Sequence, residues 1–268
     1  MFKNAIDYMI EMIFTGYLDS VSNSLTKNIF TGSFAEAWGF VSDVMNELLI
    51  PIGIYLMVIY FIASLIDKSS SGQLNFEVFF KCFIQLVVAA LLVTNLIPLV
   101  NLILSVGHSL ILQLGDLGSI KDTVSVAEDV KKLLWADGDG FKVQIKYFFP
   151  MIVPFLFSYI VRWGILLISY TRVIELMVVT MFMPLCMGDI FTEGIHGAAM
   201  RNIKRLFAVS LQGFGVYATC VLFTFIQKGF ITQAGVFEMI GTTVVLGAAC
   251  LATCFKILPM IKDALGVH

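Results

Sequence analysis

Long stretches without a charged residue constrain this chain more than any other feature of its sequence. Four such stretches contain 19, 34, 22 and 17 residues, and they lie at 48–66, 82–115, 206–227 and 239–255. A helix that crosses a bilayer needs about 20 mostly apolar residues. A segment of that length satisfies its own backbone in lipid only as a helix. The sequence therefore predicts an all-α, polytopic transmembrane protein.

The charge content argues against a soluble enzyme. Charged residues make up 13% of the chain and the net charge is -2, whereas a soluble domain carries about 25% charged residues and a nucleic-acid-binding domain carries a basic patch. The three histidines (His108, His196, His268) are scattered, and no catalytic or metal-binding spacing emerges. We therefore predict no enzymatic activity, no catalytic, cofactor-binding or metal-binding residues, and no cofactor.

All five cysteines lie in or beside apolar stretches, at positions 82, 186, 220, 250 and 254. Cys250 and Cys254 share one helix face, but the sequence offers no further ligand near them. We interpret them as small apolar packing residues, which is the usual role of a buried free cysteine.

Residues 1–47 are predicted to form an N-terminal amphipathic helical region. Apolar residues recur there at helical spacing, at Phe2, Ile6, Met9, Ile10, Ile13, Tyr17 and Val21. Residues 2–30 are too polar to cross a membrane, and the stretch from Phe34 to Glu47 leads into the first span. Three alternatives remain open: a helix in the membrane interface, a helix that packs on a partner, or a surface helix of this chain.

The rest of the chain divides into segments by polarity. Residues 48–106 contain the first two spans, 107–146 form a polar loop with a short helix, and 206–255 contain the last two spans. Residues 147–188 are mostly apolar. As a single helix they would be ~63 Å long, about twice the thickness of the hydrocarbon core of a bilayer. They form either one projecting helix or a hairpin that turns between Arg162 and Arg172. A polar, basic loop at 189–205 and a short tail at 256–268 complete the chain.

Charge counting leaves the number of spans open. Five spans with the N-terminus outside place seven basic residues in the cytoplasm and eight outside. Six spans, with the hairpin included and the N-terminus inside, place 12 of the 17 inside. The positive-inside rule alone therefore favours six spans.

Several polar residues fall at membrane depth, where they should face protein or water rather than lipid. Arg172 and Glu175 are three residues apart, so we predict an ion pair on one helix face. Such charges either line a water-filled path or a contact between subunits, or they only fix the position of the helix, through an internal ion pair or by snorkelling to the headgroups. The charged set is Arg162, Arg172 and Glu175, and the candidate polar path is Asn95, Asn101 and Gln212.

Three further features concern helix ends and faces. Pro184 is predicted to kink or end the long helix. Small residues in the last span, at Gly247, Ala248 and Ala252, allow another helix to approach closely, and they predict an interface between copies of the chain. A basic helix face carries Arg201, Lys204 and Arg205.

The stretch at 170–225 resembles the TrbL family, which includes the polytopic VirB inner-membrane subunit of type IV secretion systems. The similar elements are an Arg followed by a Glu in an apolar run, then a Pro, a polar loop, a lysine-bearing helix and a Leu-Gln-Gly span. They correspond to Arg172, Glu175, Pro184, Lys204 and residues 211–213.

This resemblance implies a homo-oligomeric ring, pentameric, in the bacterial cytoplasmic (inner) membrane, which takes part in conjugation. The implied topology has five spans, an outside N-terminus, an extracytoplasmic loop at 107–146, and cytoplasmic segments at 189–205 and 256–268. The implied partners are other type IV secretion subunits, including stalk or pilus proteins and separate ATPases, with DNA or protein as the transported substrate. The alternative is a small secondary transporter or another pore-forming membrane protein.

Overall fold

The computed structural model describes residues 2–14, 16–27, 29–73, 75–117, 120–136, 138, 140–189, 197–231 and 236–267. Within these ranges the chain forms helices and contains no strand. The helices are α1 (Phe2–Phe14), α2 (Gly16–Leu25), α3 (Ala35–Val44), α4 (Ile50–Ser70), α5 (Phe76–Thr94), α6 (Leu96–Leu117), α7 (Ile120–Leu134), α8 (Phe141–Cys186), α9 (Ala198–Ile231) and α10 (Val236–Ala264). The predicted all-α, polytopic fold class is confirmed.

Among the described residues, six helical segments are long and apolar enough to cross a membrane. They are Gly32–Ser70, Phe76–Thr94, Leu96–Asp116, Phe141–Asp189, Ala198–Phe230 and Glu238–Ala264. The sequence predicted five, and the additional segment arises because the second predicted span is divided at Asn95. Pro98 explains the division, since it has no N–H to bond the carbonyl of Thr94 and its ring crowds that carbonyl.

The chain bends at Asn95 rather than reversing. The backbone N–H of Asn95 donates to Leu91 O at 3.1 Å, and the N–H of Leu99 donates to Asn95 O at 3.2 Å. Hydrogen bonds of the α-helical pattern therefore continue across the joint. Antiparallel helices need a connection of about 2–5 residues, and a single residue joins α5 to α6.

The long apolar region is one helix. α8 contains 46 residues, which corresponds to ~69 Å at the usual helical rise. Arg162 and Arg172 lie in its interior, so the structure shows the single helix and not the hairpin of the two alternatives that the sequence left open. The helix ends at Cys186, two residues after Pro184.

A π-helical turn at Met45–Leu49 joins α3 to α4. Pro51 is the second residue of α4, and it would otherwise crowd the carbonyl one turn before it. The wider π turn accommodates the missing hydrogen bond, so the helix continues from α3 into α4.

The chain forms two compact units, and each is described separately. Unit 1 contains residues 1–27, 108–171 and 212–259, and unit 2 contains residues 28–107, 172–211 and 260–268. Four helices contribute residues to both units.

The core of unit 1 brings the N-terminal helix against the chain's own helices. Buried apolar residues of α1 and α7 meet those of α8 and α10 in one cluster: Ile6, Ile10, Ile13, Phe14, Val126, Ala127, Val130, Leu134, Tyr147, Met151 and Met239. Lys131 pairs with Glu11, and the indole N–H of Trp135 donates to Asp7 Oδ1 at 2.9 Å. Of the three alternatives for the amphipathic helix, the structure shows packing on this chain.

In unit 2, glycines allow α4 to approach the end of α8 closely. A Cβ at Gly53 would lie 2.7 Å from Pro184 O, and a Cβ at Gly188 would lie 2.8 Å from Cδ2 of Tyr60. Glycine, which has no Cβ, is therefore the residue that fits at these two positions. The far end of α4 contacts the start of α5, where Lys68 Nζ donates to Cys82 Sγ at 2.9 Å.

Candidate functional site

Arg172 is buried in unit 2, with only 5% of its surface exposed. Its Nε donates to Val209 O and its Nη2 donates to Ser210 O, each at 3.1 Å. Both carbonyls belong to α9, and a carbonyl oxygen has a second lone pair besides the one used in its helix. The planar guanidinium therefore joins α8 to two successive carbonyls of α9.

Helix α6 packs against the junction between α8 and α9. Ser210 Oγ donates to Ile103 O at 3.3 Å, and a Cβ at Gly107 would lie 2.9 Å from Ser210 O. Gly107 therefore permits backbone contact between α6 and α9 at Ser210, whose carbonyl also accepts a hydrogen bond from Arg172. Three helices of unit 2 converge at this point.

Glu175 has different partners from the one that the sequence suggested. Arg205 Nη2 lies 3.0 Å from Glu175 Oε1, and Lys262 Nζ lies 3.6 Å from the same oxygen. The predicted ion pair between Arg172 and Glu175 is wrong. Side chains three apart on a helix are close enough to pair, but α9 supplies a different partner for each of these two.

A basic cavity lies beside the Glu175 carboxylate in unit 2. Its volume is about 370 Å³, and it is lined by Ala198, Arg201, Asn202, Arg205, Lys262 and Val267. Two of the three residues of the predicted basic face, Arg201 and Arg205, line it, whereas Lys204 is exposed and outside the lining. Three cationic side chains therefore surround one cavity with one carboxylate at its edge, which favours an anionic group there.

The structure does not bring the three amides of the predicted polar path together as one lining. Asn95 is exposed, and its amide donates to Leu91 O in the last turn of α5 at 2.8 Å. Asn101 Oδ1 belongs to unit 2 and Gln212 Oε1 to unit 1, and each is buried without a hydrogen-bond partner among the described residues. Two buried amide oxygens remain as candidates for bound water or a polar substrate.

The other predicted residues occupy simpler surroundings. Arg162 lies in unit 1, where its Nη1 is 3.9 Å from Met12 Sδ. Gly247 is buried, whereas Ala248 and Ala252 are exposed on α10. The two alanines therefore remain available to a second copy of the chain. The kink at Pro184 and the cytoplasmic position of 189–205 stay predictions, and residues 190–196 of that loop, with His196, lie outside the described residues.

Sequence reasoning missed one cluster. Cys220 of α9 joins Cys250 and Cys254 of α10, and their sulfur atoms lie within 4.8 Å of one another. The residue numbers could have predicted this cluster. In an antiparallel pair of helices, residues that are equally far from the connection lie at the same height along the helix axes. The connection between α9 and α10 falls at 232–235, midway between Cys220 and Cys250.

Comparison with known proteins identifies a family by sequence. The family model described as TrbL/VirB6 plasmid conjugal transfer like protein matches residues 24–184, more than half of the chain. No curated protein and no solved structure matches the chain. The family match confirms the predicted resemblance and includes Arg172, Glu175 and Pro184, while Lys204 and residues 211–213 lie beyond its end.

Proposed function

Because the chain belongs to the TrbL/VirB6 plasmid conjugal transfer-like family, which implies a component of conjugal transfer or type IV secretion, we propose that it is an oligomeric channel or platform subunit of such a machine. It works in the cytoplasmic membrane with other secretion subunits, including stalk or pilus proteins and separate ATPases. The transported substrate is DNA or protein. The observation that carries this proposal is the family match over residues 24–184, which contain three of the six apolar segments and most of a fourth.

Exposed apolar side chains support a place in lipid and against other subunits. On α4 and α8 large apolar residues stand exposed along the helices, among them Tyr55, Ile59, Ile66, Val153, Ile160 and Trp163. A water-soluble monomer rarely exposes an apolar patch beyond a few hundred Å². Lipid chains and neighbouring subunits are the surroundings that would cover these faces.

Contacts within unit 2 support a five-crossing topology. Gly53 faces Pro184 and Tyr60 contacts Gly188, so the first half of α4 lies beside the end of α8 and the two helices run in the same direction there. Arg205 and Lys262 both reach Glu175, so the start of α9 and the end of α10 lie there too. These four helix ends are compatible with one membrane side if α4, α8, α9 and α10 each cross once and the bent α5–α6 pair crosses once.

We assign that side, which carries a group of basic residues, to the cytoplasm. Lys68 and Lys81 flank the α4–α5 turn, and Arg201, Arg205 and Lys262 line the basic cavity. All five belong to unit 2. The positive-inside rule does not decide the orientation, since eight basic residues lie on the other side. The family resemblance implies that 107–146 and the N-terminus are outside the cytoplasm.

Plasmid transfer frequency tests the proposed function. Deletion of the coding sequence without disturbing neighbouring genes should abolish conjugal transfer from the donor strain, and expression of the wild-type chain in trans should restore it. The donor's growth and its uptake of small solutes should not change. Undiminished transfer from the deletion strain would contradict the proposal, and a specific loss of uptake of one solute would instead support the transporter alternative.

A further inference from the structure

Three cysteine side chains meet inside unit 1, although they are far apart in the sequence. Cys220 is 2% exposed, Cys250 7% and Cys254 0%. All three sulfur atoms lie within 4.8 Å of one another. Cys82 and Cys186, the other two cysteines, belong to unit 2.

The fold holds these three thiols in place from two rigid helices. Cys250 and Cys254 are four residues apart on α10, so their side chains lie one above the other on one face. Cys220 comes from α9. A site whose ligands come from helices keeps its geometry better than one built on loops, and burial limits the access of water to the sulfur atoms.

The geometry of the cluster suits a metal ion with three sulfur ligands. Sulfur ligands bind soft metal ions at about 2.3 Å, and three of them around one ion in a plane would then lie about 4.0 Å apart. The observed upper limit of 4.8 Å requires a shift of less than an ångström, which side-chain rotation can provide.

The donor set distinguishes between metals. Among the described residues, the group that could hold an ion contains only these three thiols, with no histidine or carboxylate. Zinc in structural sites takes four ligands in tetrahedral geometry, so one ligand would be missing. Thiolate ligands select Cu(I) among the softer ions.

We propose that Cys220, Cys250 and Cys254 form a binding site for a single Cu(I) ion. Binding forms copper–sulfur bonds, and each sulfur that binds as a thiolate releases one proton to the solvent. The copper stays in the Cu(I) state throughout, so no oxidant or reductant takes part. The site lies outside the proposed transfer function and does not depend on it.

Copper competition on the full-length protein tests this site. The detergent-purified chain is titrated without oxygen, in ascorbate, with Cu(I) supplied as its coloured complex with bicinchoninate. The wild-type chain should remove one copper ion per chain from the chelator. Cys220→Ala, Cys250→Ala and Cys254→Ala should each remove none at the same chelator concentration, because two remaining sulfur atoms compete less well. X-ray absorption of the loaded protein should report sulfur neighbours only.

Matched controls come from the cysteines of unit 2. Cys82→Ala and Cys186→Ala should retain one copper ion per chain, and Zn(II) should not displace it. Alanine is small and apolar, so the variants should keep wild-type helicity and a single elution peak. The proposal is overturned if the wild-type chain takes no copper, if copper uptake follows Cys82 or Cys186, or if nitrogen and oxygen neighbours dominate the absorption spectrum.

Discussion

Arg172 carries its charge among backbone carbonyls of α9, and this arrangement depends on the shape of its side chain. A charge at membrane depth costs about 2.5–3.5 kcal/mol on insertion scales, and two hydrogen bonds at 3.1 Å offset part of that cost here. A guanidinium presents a planar fork of donors, whereas an ammonium is a single point charge on a flexible stem. Lysine at this position would keep the charge and lose the fork.

We therefore predict that Arg172→Lys destabilises the protein more than Arg172→Leu. The lysine variant leaves a buried charge with incomplete partners, and removing a charge altogether costs less than leaving it unpaired. The loss for Arg172→Lys should be about 2 kcal/mol, the scale of hydrogen bonds to charged groups. Thermal unfolding in detergent measures it, and Arg162→Lys serves as the control because Arg162 donates to Met12 Sδ and, among the described residues, to no backbone carbonyl. Equal Tm values for Arg172→Lys and wild type would contradict the assignment.

At the same scale, Glu175 should be coupled energetically to Arg205 and not to Lys204. Glu175 Oε1 contacts Arg205, but the side chains of Arg205 and Glu175 are 44% and 21% exposed, so solvent screens the pair. The coupling should be about 0.5 kcal/mol, as for exposed ion pairs. Double-mutant cycles with Glu175→Gln, Arg205→Gln and Lys204→Gln measure it. A larger coupling to Lys204 than to Arg205 would contradict the observed contacts.

At the scale of elements, close helix approach in unit 2 depends on glycine. Gly107→Ala would place a methyl group 2.9 Å from the Ser210 carbonyl, and α9 cannot withdraw its backbone without breaking the Arg172 bonds. We predict a loss of about 1–3 kcal/mol, the usual cost of overpacking, measured by chemical or thermal unfolding.

Gly241→Ala is the matched control for this change. Gly241 lies in α10, and a Cβ there would meet no atom within 4 Å. Alanine should stabilise the helix by about 0.5–1 kcal/mol, because it reduces the backbone entropy of the unfolded chain. If Gly107→Ala is as stable as Gly241→Ala, α6 and α9 do not approach as described.

The elements differ in how far the sequence could predict them. Long uncharged runs predicted which segments are apolar helices, and the three- and four-residue spacing of Ile6, Ile10 and Ile13 predicted the amphipathic face of α1. The break at Asn95 is a local effect of Pro98. The long uncharged run around it nevertheless predicted a single span. The partners of Arg172 and Glu175 depend on how α9 packs on α8, and no local pattern contains that register. The cysteine cluster depends in the same way on pairing between α9 and α10.

At the scale of the whole molecule, the proposed five-crossing topology rests on the family resemblance and on the contacts of unit 2. The five-crossing arrangement predicts that the α4–α5 turn is cytoplasmic and that α7 is extracytoplasmic. Single cysteines at Ser71, Lys204 and Asp129, three exposed positions, can be introduced into a chain that lacks its native five. In intact cells an impermeant thiol reagent should label Asp129→Cys, and should label the other two only after permeabilisation.

The position of Ser71 distinguishes five crossings from six. If α5 and α6 crossed the membrane separately, Ser71 would lie on the same side as Asp129, and both cysteines would react in intact cells. Labelling of Lys204→Cys but not Asp129→Cys would reverse the orientation. Both results would leave the helices themselves unchanged, because they concern only the placement of the helix ends.

The central claim is that copies of this chain assemble into a ring that conjugal transfer requires, and native mass spectrometry of the protein from transferring donors measures this directly. With a chain of 29.7 kDa, the pentamer implied by the family resemblance would have a mass of about 149 kDa, five times that of the chain. Leucine at Ala248 and Ala252, the exposed small residues of α10, should lower both the pentamer fraction and the transfer frequency. A monomer of 29.7 kDa, isolated in mild detergent or lipid discs from donors that transfer at full frequency, would contradict the account.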